Sequence, residues 1–459
     1  MWTIKDISKA LGVKVAYSVN MDICGVSIDT RTIKKNELFI AIKGDNFDGN
    51  EFTLMAEKQG AAIIIAEKEN PKVTIPQIIV TDSYQALIKL AIYRRDHTSA
   101  KIIAITGSIG KTSCKSVLYD ILSLYDNSYA SIGNYNNHIG LPLSLVNMPH
   151  HTKFAVFELG MNHKGEIKYL SELLRPDLAW ITMVNDAHIG NFNNEAEIID
   201  AKAEIFSGLN KSGIILLNNS DKNFYKLHDI ALNLYHHNSN LVKNYGDSNN
   251  GDLIIKKIEL NQKKQFIVTF LFEQQTHQLT FNFHNLALIK LLLGIIVLLS
   301  ELSLNYKRSL QYFSKIKPIT GRGNIINSNH ITIIDDSYNA NPASMNAAFD
   351  NLNILGEISG NRTVAIIGTM LELGKNSKAK HLALKDSLIR NNIKKVITIG
   401  AYMQDLYNIL PPEKRIMHYD KAQGNLDNIT SHLKKGDVVL VKASRSIKAD
   451  LIVKHLNQH

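Results

Sequence analysis

The chain repeats one pattern from end to end. A short run of β-branched and aliphatic residues is followed by a glycine- or asparagine-containing turn, then by a stretch with helical spacing. Buried-strand runs fall at residues 38–42, 61–66, 101–106, 154–159, 179–184, 212–218, 331–334, 364–367, 396–400 and 437–441. Helical spacing falls at 2–11, with Thr3 as N-cap, at 53–59, from 111 onward, at 198–206 and at 284–302. Residues 265–272 and 278–283 alternate well enough to pair as strands, and the polar, Asn-rich 236–265 reads as a hairpin or loop. Strands alternating with helices predict parallel sheets and an α/β fold. At 459 residues the chain has room for about three domains. We expect boundaries at 1–97, 98–310 and 311–459.

The most informative stretch is 101–113, KIIAITGSIGKTS. An apolar strand runs into a tight loop, Gly107-Ser108-Ile109-Gly110, and Lys111-Thr112-Ser113 then opens a helix. Glycines let backbone N–H groups approach phosphate oxygens, and a helix N-terminus adds unpaired donors and partial positive charge. Lys111 is placed to reach the outer phosphates, and the Thr112 hydroxyl to hold Mg²⁺. The loop is the shorter G-x-x-G-K-T, because Ile105 stands where a full phosphate-loop pattern has glycine. The expected central domain is therefore a P-loop-type mononucleotide-binding α/β domain.

Charge narrows the ligand class. Lys and Arg number 52 against 42 Asp and Glu, a net +10, but they are scattered rather than blocked. That suits an anionic small substrate such as a nucleotide, and we expect no nucleic-acid partner. Cys24 and Cys114 fit no metal or disulfide framework, which points to a reducing compartment. The first residues lack an apolar signal segment, and the most apolar run, 291–299, is too short for a bilayer, which needs about 20 residues. The expectation is a cytoplasmic monomer without stable membrane insertion.

Several polar clusters sit where chemistry is possible. Arg31, Lys43 and nearby loop hydroxyls suit an anionic ligand, or are solvated turn residues. Asn136 and Asn137 are amides able to orient a polar substrate, or ordinary loop asparagines. Glu158 ends a strand near the glycine loop, where a magnesium ligand or an ion-paired carboxylate belongs. His188 follows another strand. Lys202, inside 198–206, reads by itself as a solvated helix face. Asp335, Asp336, Asn339 and Asn341 gather at a strand end in D-D-S-Y-N-A-N-P.

These motifs, in this order, resemble those of the Mur ligases. The N-terminal part is similar in D-T-R (29–31) and L-F-I-A-I-K-G (38–44) followed by Asp48-Gly49. The resemblance implies that this domain, with Thr30, Arg31 and Lys43, binds the UDP end of a UDP-linked muramoyl peptide. G-N-Y-N-N-H-I-G-L-P (133–142) and D-D-S-Y-N-A-N-P (335–342) resemble the branch that adds a D-alanyl-D-alanine dipeptide. By the same likeness Glu158, His188 and a carbamylated Lys202 hold a second Mg²⁺, and His284 and Asn285 lie near the adenine of ATP. Arg322 meets ATP phosphates, Asp335 belongs to the nucleotide site, and Asp336, Asn339 and Asn341 position substrate. K-A-S-R (442–445) resembles the family's K-G-S-R. A C-terminal Rossmann-like domain is implied, closing on the central one.

The implied activity is an ATP- and Mg²⁺-dependent ligation in cytoplasmic peptidoglycan synthesis, joining D-alanyl-D-alanine to UDP-N-acetylmuramoyl-tripeptide. Leu288, Thr369 and Ala443 depart from the family pattern. A sister amino-acid ligase, or a non-catalytic nucleotide-binding protein, is the alternative.

Overall fold

The computed structural model describes residues 2–13, 22–44, 47–185, 189–192, 194–328 and 330–458. Its first helix is Ile4–Leu11, capped as the sequence predicts: the Thr3 hydroxyl accepts from the Asp6 N–H, and the Asp6 carboxylate accepts from the Thr3 N–H. Three sheets follow. The first holds β1 (Gly25–Ser27), β2 (Glu37–Ile40), β3 (Ala61–Ala66) and β4 (Gln77–Ile79), side by side in that order and all parallel.

The second sheet is built from β5 (Lys101–Thr106), β6 (Ser128–Ala130), β7 (Phe154–Glu158), β8 (Leu178–Ile181) and β9 (Ile214–Asn218). It continues with β10 (Val242–Gly246), β11 (Leu253–Leu260), β12 (Phe266–Phe272) and β13 (Gln275–Phe281). The order across it is β13-β12-β11-β10-β9-β8-β5-β7-β6. β5 lies between β7 and β8, so successive connections leave it in opposite directions. Such a switch point opens a crevice at the strand's C-terminal end, and the glycine loop emerges there.

The third sheet has β14 (Asn324–Asn327), β15 (Thr332–Asp335), β16 (Thr363–Gly368), β17 (Lys395–Ile399), β18 (Arg415–Tyr419) and β19 (Val438–Lys442). Their order is β14-β15-β19-β16-β17-β18, parallel except for the β14–β15 pair.

Two expectations need correction. Residues 236–265 are neither a loop nor a hairpin within themselves: β10 pairs parallel with both β9 and β11, with Val242, Tyr245, Leu253, Ile254 and Ile255 buried. The helix expected over 284–302 is two, Leu286–Leu292 and Gly294–Glu301. Gly294 sits at the break, where a Cβ would lie 2.8 Å from both Trp180 and Tyr245 ring atoms.

The sheets are docked by specific polar contacts. The Asn147 side chain brackets Val26 of β1, accepting its N–H and donating to its carbonyl, both at 2.9 Å. The Trp2 indole donates to the Val146 carbonyl at 2.8 Å. Across the other boundary, Lys264 donates to the Ile358 carbonyl at 2.6 Å. Among the described residues, no helix is long and apolar enough to cross a membrane.

Candidate active site

The glycine loop is shaped by its contacts. Gly107 has φ +149°, and a Cβ there would overlap the Thr182 hydroxyl. That hydroxyl in turn donates to the Ile109 carbonyl at 2.6 Å, holding the loop's middle. Gly110, at φ +84°, caps the helix Lys111–Leu122. Ile105 is a buried residue of β5, so no glycine is needed there. Ser108 is tied to the segment after β8, its backbone N–H to the Met183 carbonyl and its hydroxyl to the Asn185 carbonyl.

Lys111 folds back on this loop, its ammonium 2.7 Å from the Gly107 carbonyl. Burial pulls its pKa down. The Glu158 carboxylate opposes that shift, and the Arg322 cation adds to it. Glu158 ends β7 and is 3% exposed. Thr112 donates to one of its oxygens at 2.8 Å and Asn136 to the other at 2.9 Å. A carboxylate and a hydroxyl meeting beside a phosphate cradle are the hard oxygen donors that Mg²⁺ takes. Lys115, one turn beyond Lys111, is buried and donates to the carbonyls of Ser131 and Gly133, holding the loop that leads to Asn136.

Lys202 corrects a sequence expectation. It is 2% exposed rather than on a solvated face. Its pKa falls well below the ordinary lysine value, through burial first and then the positive charge of Lys111. His188 lies outside the described residues, and among those described no three His, Cys, Asp or Glu side chains converge on one point.

The opposite wall comes from the third sheet. Arg322 stacks over the Tyr338 ring at 4.2 Å, and Arg445 lies 5.5 Å from the same ring. Asp336 pairs with Lys442 at 2.7 Å. The Asn339 side-chain oxygen accepts its neighbour Ala340's N–H, and Asn341 caps the helix Pro342–Ser359. Between the walls lies a cavity of about 380 Å³. It gathers Ser108, Gly110, Lys111, Thr112, Ser113, Asn136, Glu158, Asn285, Arg322, Asp336, Asn339 and Asn341.

Other expected site residues lie elsewhere. Asp335 is buried and accepts from the Gly321 N–H and the Ser337 hydroxyl, so it braces the strand end. Asn137 accepts from the Ile139 and Gly140 N–H groups and starts a helix. His284 turns away to the Lys264 carbonyl, 2.6 Å from its Nε2. Thr30 and Arg31 lie in the turn between β1 and β2 and Lys43 just after β2, and none of the three lines the cavity. Arg31, with an 85% exposed side chain, grips Asp29.

The sequence reading passed over Asn134, Tyr338, Asn351, Lys442 and Arg445, which also line the cavity. Asn134, Tyr338, Lys442 and Arg445 lie inside the segments G-N-Y-N-N-H-I-G-L-P, D-D-S-Y-N-A-N-P and K-A-S-R, whereas Asn351 lies in none of them. Of the three departures Leu288 lines the cavity, whereas Thr369 and Ala443 are buried outside it.

Comparison with known proteins places this geometry. Residues 22–95 match the Mur ligase family catalytic domain, 105–287 the Mur ligase middle domain and 321–445 the Mur ligase glutamate ligase domain. The chain belongs to the Mur ligase family. This Mur ligase is 35% identical over 458 residues to a UDP-N-acetylmuramoyl-tripeptide–D-alanyl-D-alanine ligase of Rickettsia prowazekii (strain Madrid E), covering 99% of each chain. A ligase of the same name from Bacillus subtilis (strain 168) is 30% identical, over 94% of this chain and 93% of that one. The crystal structure of MurF from Acinetobacter baumannii overlays with a TM-score of 0.87 at 26% identity, covering 100% of this chain and 99% of that one.

Proposed function

We propose that this Mur ligase joins D-alanyl-D-alanine to UDP-N-acetylmuramoyl-tripeptide, consuming ATP and releasing UDP-muramoyl-pentapeptide, ADP and phosphate. The observation that carries this reading is the meeting, in one cavity, of the glycine cradle with the D-D-S-Y-N-A-N-P strand end. The full-length relatives named for this reaction support it. The division into 1–97, 98–310 and 311–459 belongs to the same reading, with the UDP end of the substrate on the first domain near Thr30, Arg31 and Lys43.

The chemistry asks for what the cavity offers. An oxygen of the tripeptide's terminal carboxylate attacks the γ-phosphorus of ATP, and ADP departs. The dipeptide's amine then attacks the acyl carbon. Phosphate leaves with the C–O electron pair, and the amine gives up a proton. Two anions must meet in the first step, so cations decide the rate. Lys111 serves from the cradle wall, and Arg322 and Arg445 from the other. Thr112 is the residue that would hold one Mg²⁺, and Glu158, with His188 and with Lys202 as its carbamate, would hold a second. Bound Mg²⁺ supplies neutralisation of the phosphate oxygens. Asn136, Asn339 and Asn341 line the path and orient peptide groups, keeping the acyl phosphate for the amine rather than water. Because the two walls belong to different domains, their closure gates the reaction.

The test is phosphate release from Mg-ATP with UDP-muramoyl-tripeptide, with and without D-alanyl-D-alanine, and the product's mass. Release requiring both substrates, with a pentapeptide mass, supports the reading. Release with a single amino acid moves the chain to a sister ligase, and no release from folded protein overturns catalysis.

A further inference from the structure

One end of the cavity is unlike the rest. Beside the cradle, Ala287, Leu288 and Leu291 from one helix face Ala347 and Ala348 from another. These apolar residues form a slot between the central and third domains. Leu291 packs so closely on Gly110 that any Cβ there would overlap it. A nucleotide with its phosphates in the cradle therefore has apolar side chains within reach of its base.

The slot has one polar edge. Asn351 follows Ala347 and Ala348 on the same helix face at the spacing of one turn, and lines the same cavity. It is 5% exposed. Its Oδ1 accepts the Leu286 N–H at 3.3 Å, across the domain boundary. That bond fixes the amide's orientation. The Nδ2 group has no hydrogen-bond partner among the described residues, yet it is not sealed from solvent, so it opens on the cavity. A ligand acceptor would pair with this donor, whereas a ligand that covered it without an acceptor would bear the cost of an unpaired polar group.

We propose that Asn351 is the specificity residue for the nucleotide base, reading the 6-amino edge of adenine from the third domain. This rests on the ATP reading above. Nδ2 donates to a ring nitrogen of the purine, and the second lone pair of Oδ1 accepts from the 6-amino group. Adenine presents that acceptor and donor pair side by side. A 6-oxo purine places an oxygen against Oδ1 instead, and repulsion replaces the bond. Leu288 contributes an apolar wall of the same cavity. Because Asn351 also holds the Leu286 N–H, base binding and domain docking share one side chain.

The experiment is calorimetric titration of Mg-ADP and Mg-IDP onto the full-length protein and three variants. The wild type is expected to prefer ADP at least ~10-fold, the consequence of one mismatched buried polar group. Asn351→Leu is expected to bring the two affinities within about twofold of each other. Asn351→Asp keeps an acceptor for Leu286 but lacks the donor, so it separates base reading from domain docking; it too is expected to lose the preference. Leu288→Asn added to Asn351→Leu restores an amide to the slot and is expected to recover part of it. An unchanged ADP:IDP ratio in Asn351→Asp overturns the inference, even if Asn351→Leu fails to fold. A wild type that binds ADP and IDP equally overturns it as well. Binding of neither nucleotide overturns the ATP reading itself, which is a separate failure.

Discussion

The Thr112 hydroxyl donates to the Glu158 carboxylate at 2.8 Å, linking the first turn of the cradle helix to the end of β7. β7 is the hydrogen-bonded neighbour of β5, which delivers the cradle. Adjacent parallel strands thus present a phosphate-binding turn and a carboxylate at the same edge. Removing the hydroxyl while keeping the side chain's shape tests that coupling. Thr112→Val is expected to lower kcat by ~100-fold, the scale seen when one preorganised polar group is lost from a charged transition state. It should also raise the Mg²⁺ concentration needed for half-maximal rate. Thr112→Ser should keep most of both. Equal Mg²⁺ dependence in Thr112→Val and wild type would remove Thr112 from the metal site.

Lys202 has a different test. Its burial and the nearby Lys111 charge favour a neutral amine, the form that reacts with CO₂. Lys202→Ala is expected to abolish turnover and to regain a measurable part of it with formate, acetate or propionate, which bring back carboxylate oxygens. Activity that no short carboxylate recovers at any concentration would mark Lys202 as a packing residue instead.

Lys442 is 2% exposed and holds both Asp336 and the Asn339 carbonyl. Burial pushes the Asp336 pKa up and the Lys442 charge pulls it down. Lys442→Met leaves a partly buried carboxylate without its partner, at a cost of about 3 kcal/mol. Adding Asp336→Asn removes the stranded charge and should recover part of that loss. Denaturant midpoints of the single and double variants decide it. Additive losses would mean that the pair is not coupled.

His381 supplies a pH dependence. It is fully buried, accepts the Met370 N–H on Nε2 at 2.9 Å, and has its Nδ1 2.7 Å from the Ser377 carbonyl. Burial lowers its pKa from 6.5, with the Ser377 carbonyl opposing. The unfolded chain therefore takes up a proton near pH 6.5 that the folded chain accepts only at lower pH. This contribution to stability is complete above the unfolded value and is lost as pH falls through the folded one. The melting temperature should decline from pH 7.5 towards 5 by a smaller step in His381→Gln than in wild type. Parallel curves would exclude His381 as a source.

Much of the architecture was legible because it is written locally. Strand runs, glycine turns and the capping of Ile4–Leu11 depend on neighbours within a few residues, and the cradle is a strand, loop and helix read in one stretch. The failures were local signals that needed distant partners. The weak pattern at 242–260 became β10 and β11 only because β9 offered them an edge. Lys202 looked solvated until its helix was packed inward.

What the sequence determined alone was therefore which segments become strands, helices and turns, and which of them could carry phosphate and carboxylate chemistry. The tertiary structure decided which side chains meet. Asp335 and Asp336 are equivalent on paper, yet one braces Gly321 and the other faces the cavity beside Lys442. Asn136 and Asn137 divide in the same way, between Glu158 and a helix start. Consecutive residues leave the backbone in different directions, and the cavity side is set by the docking of another sheet. Asn351 carried no signal, since its site exists only where two helices from different domains come together.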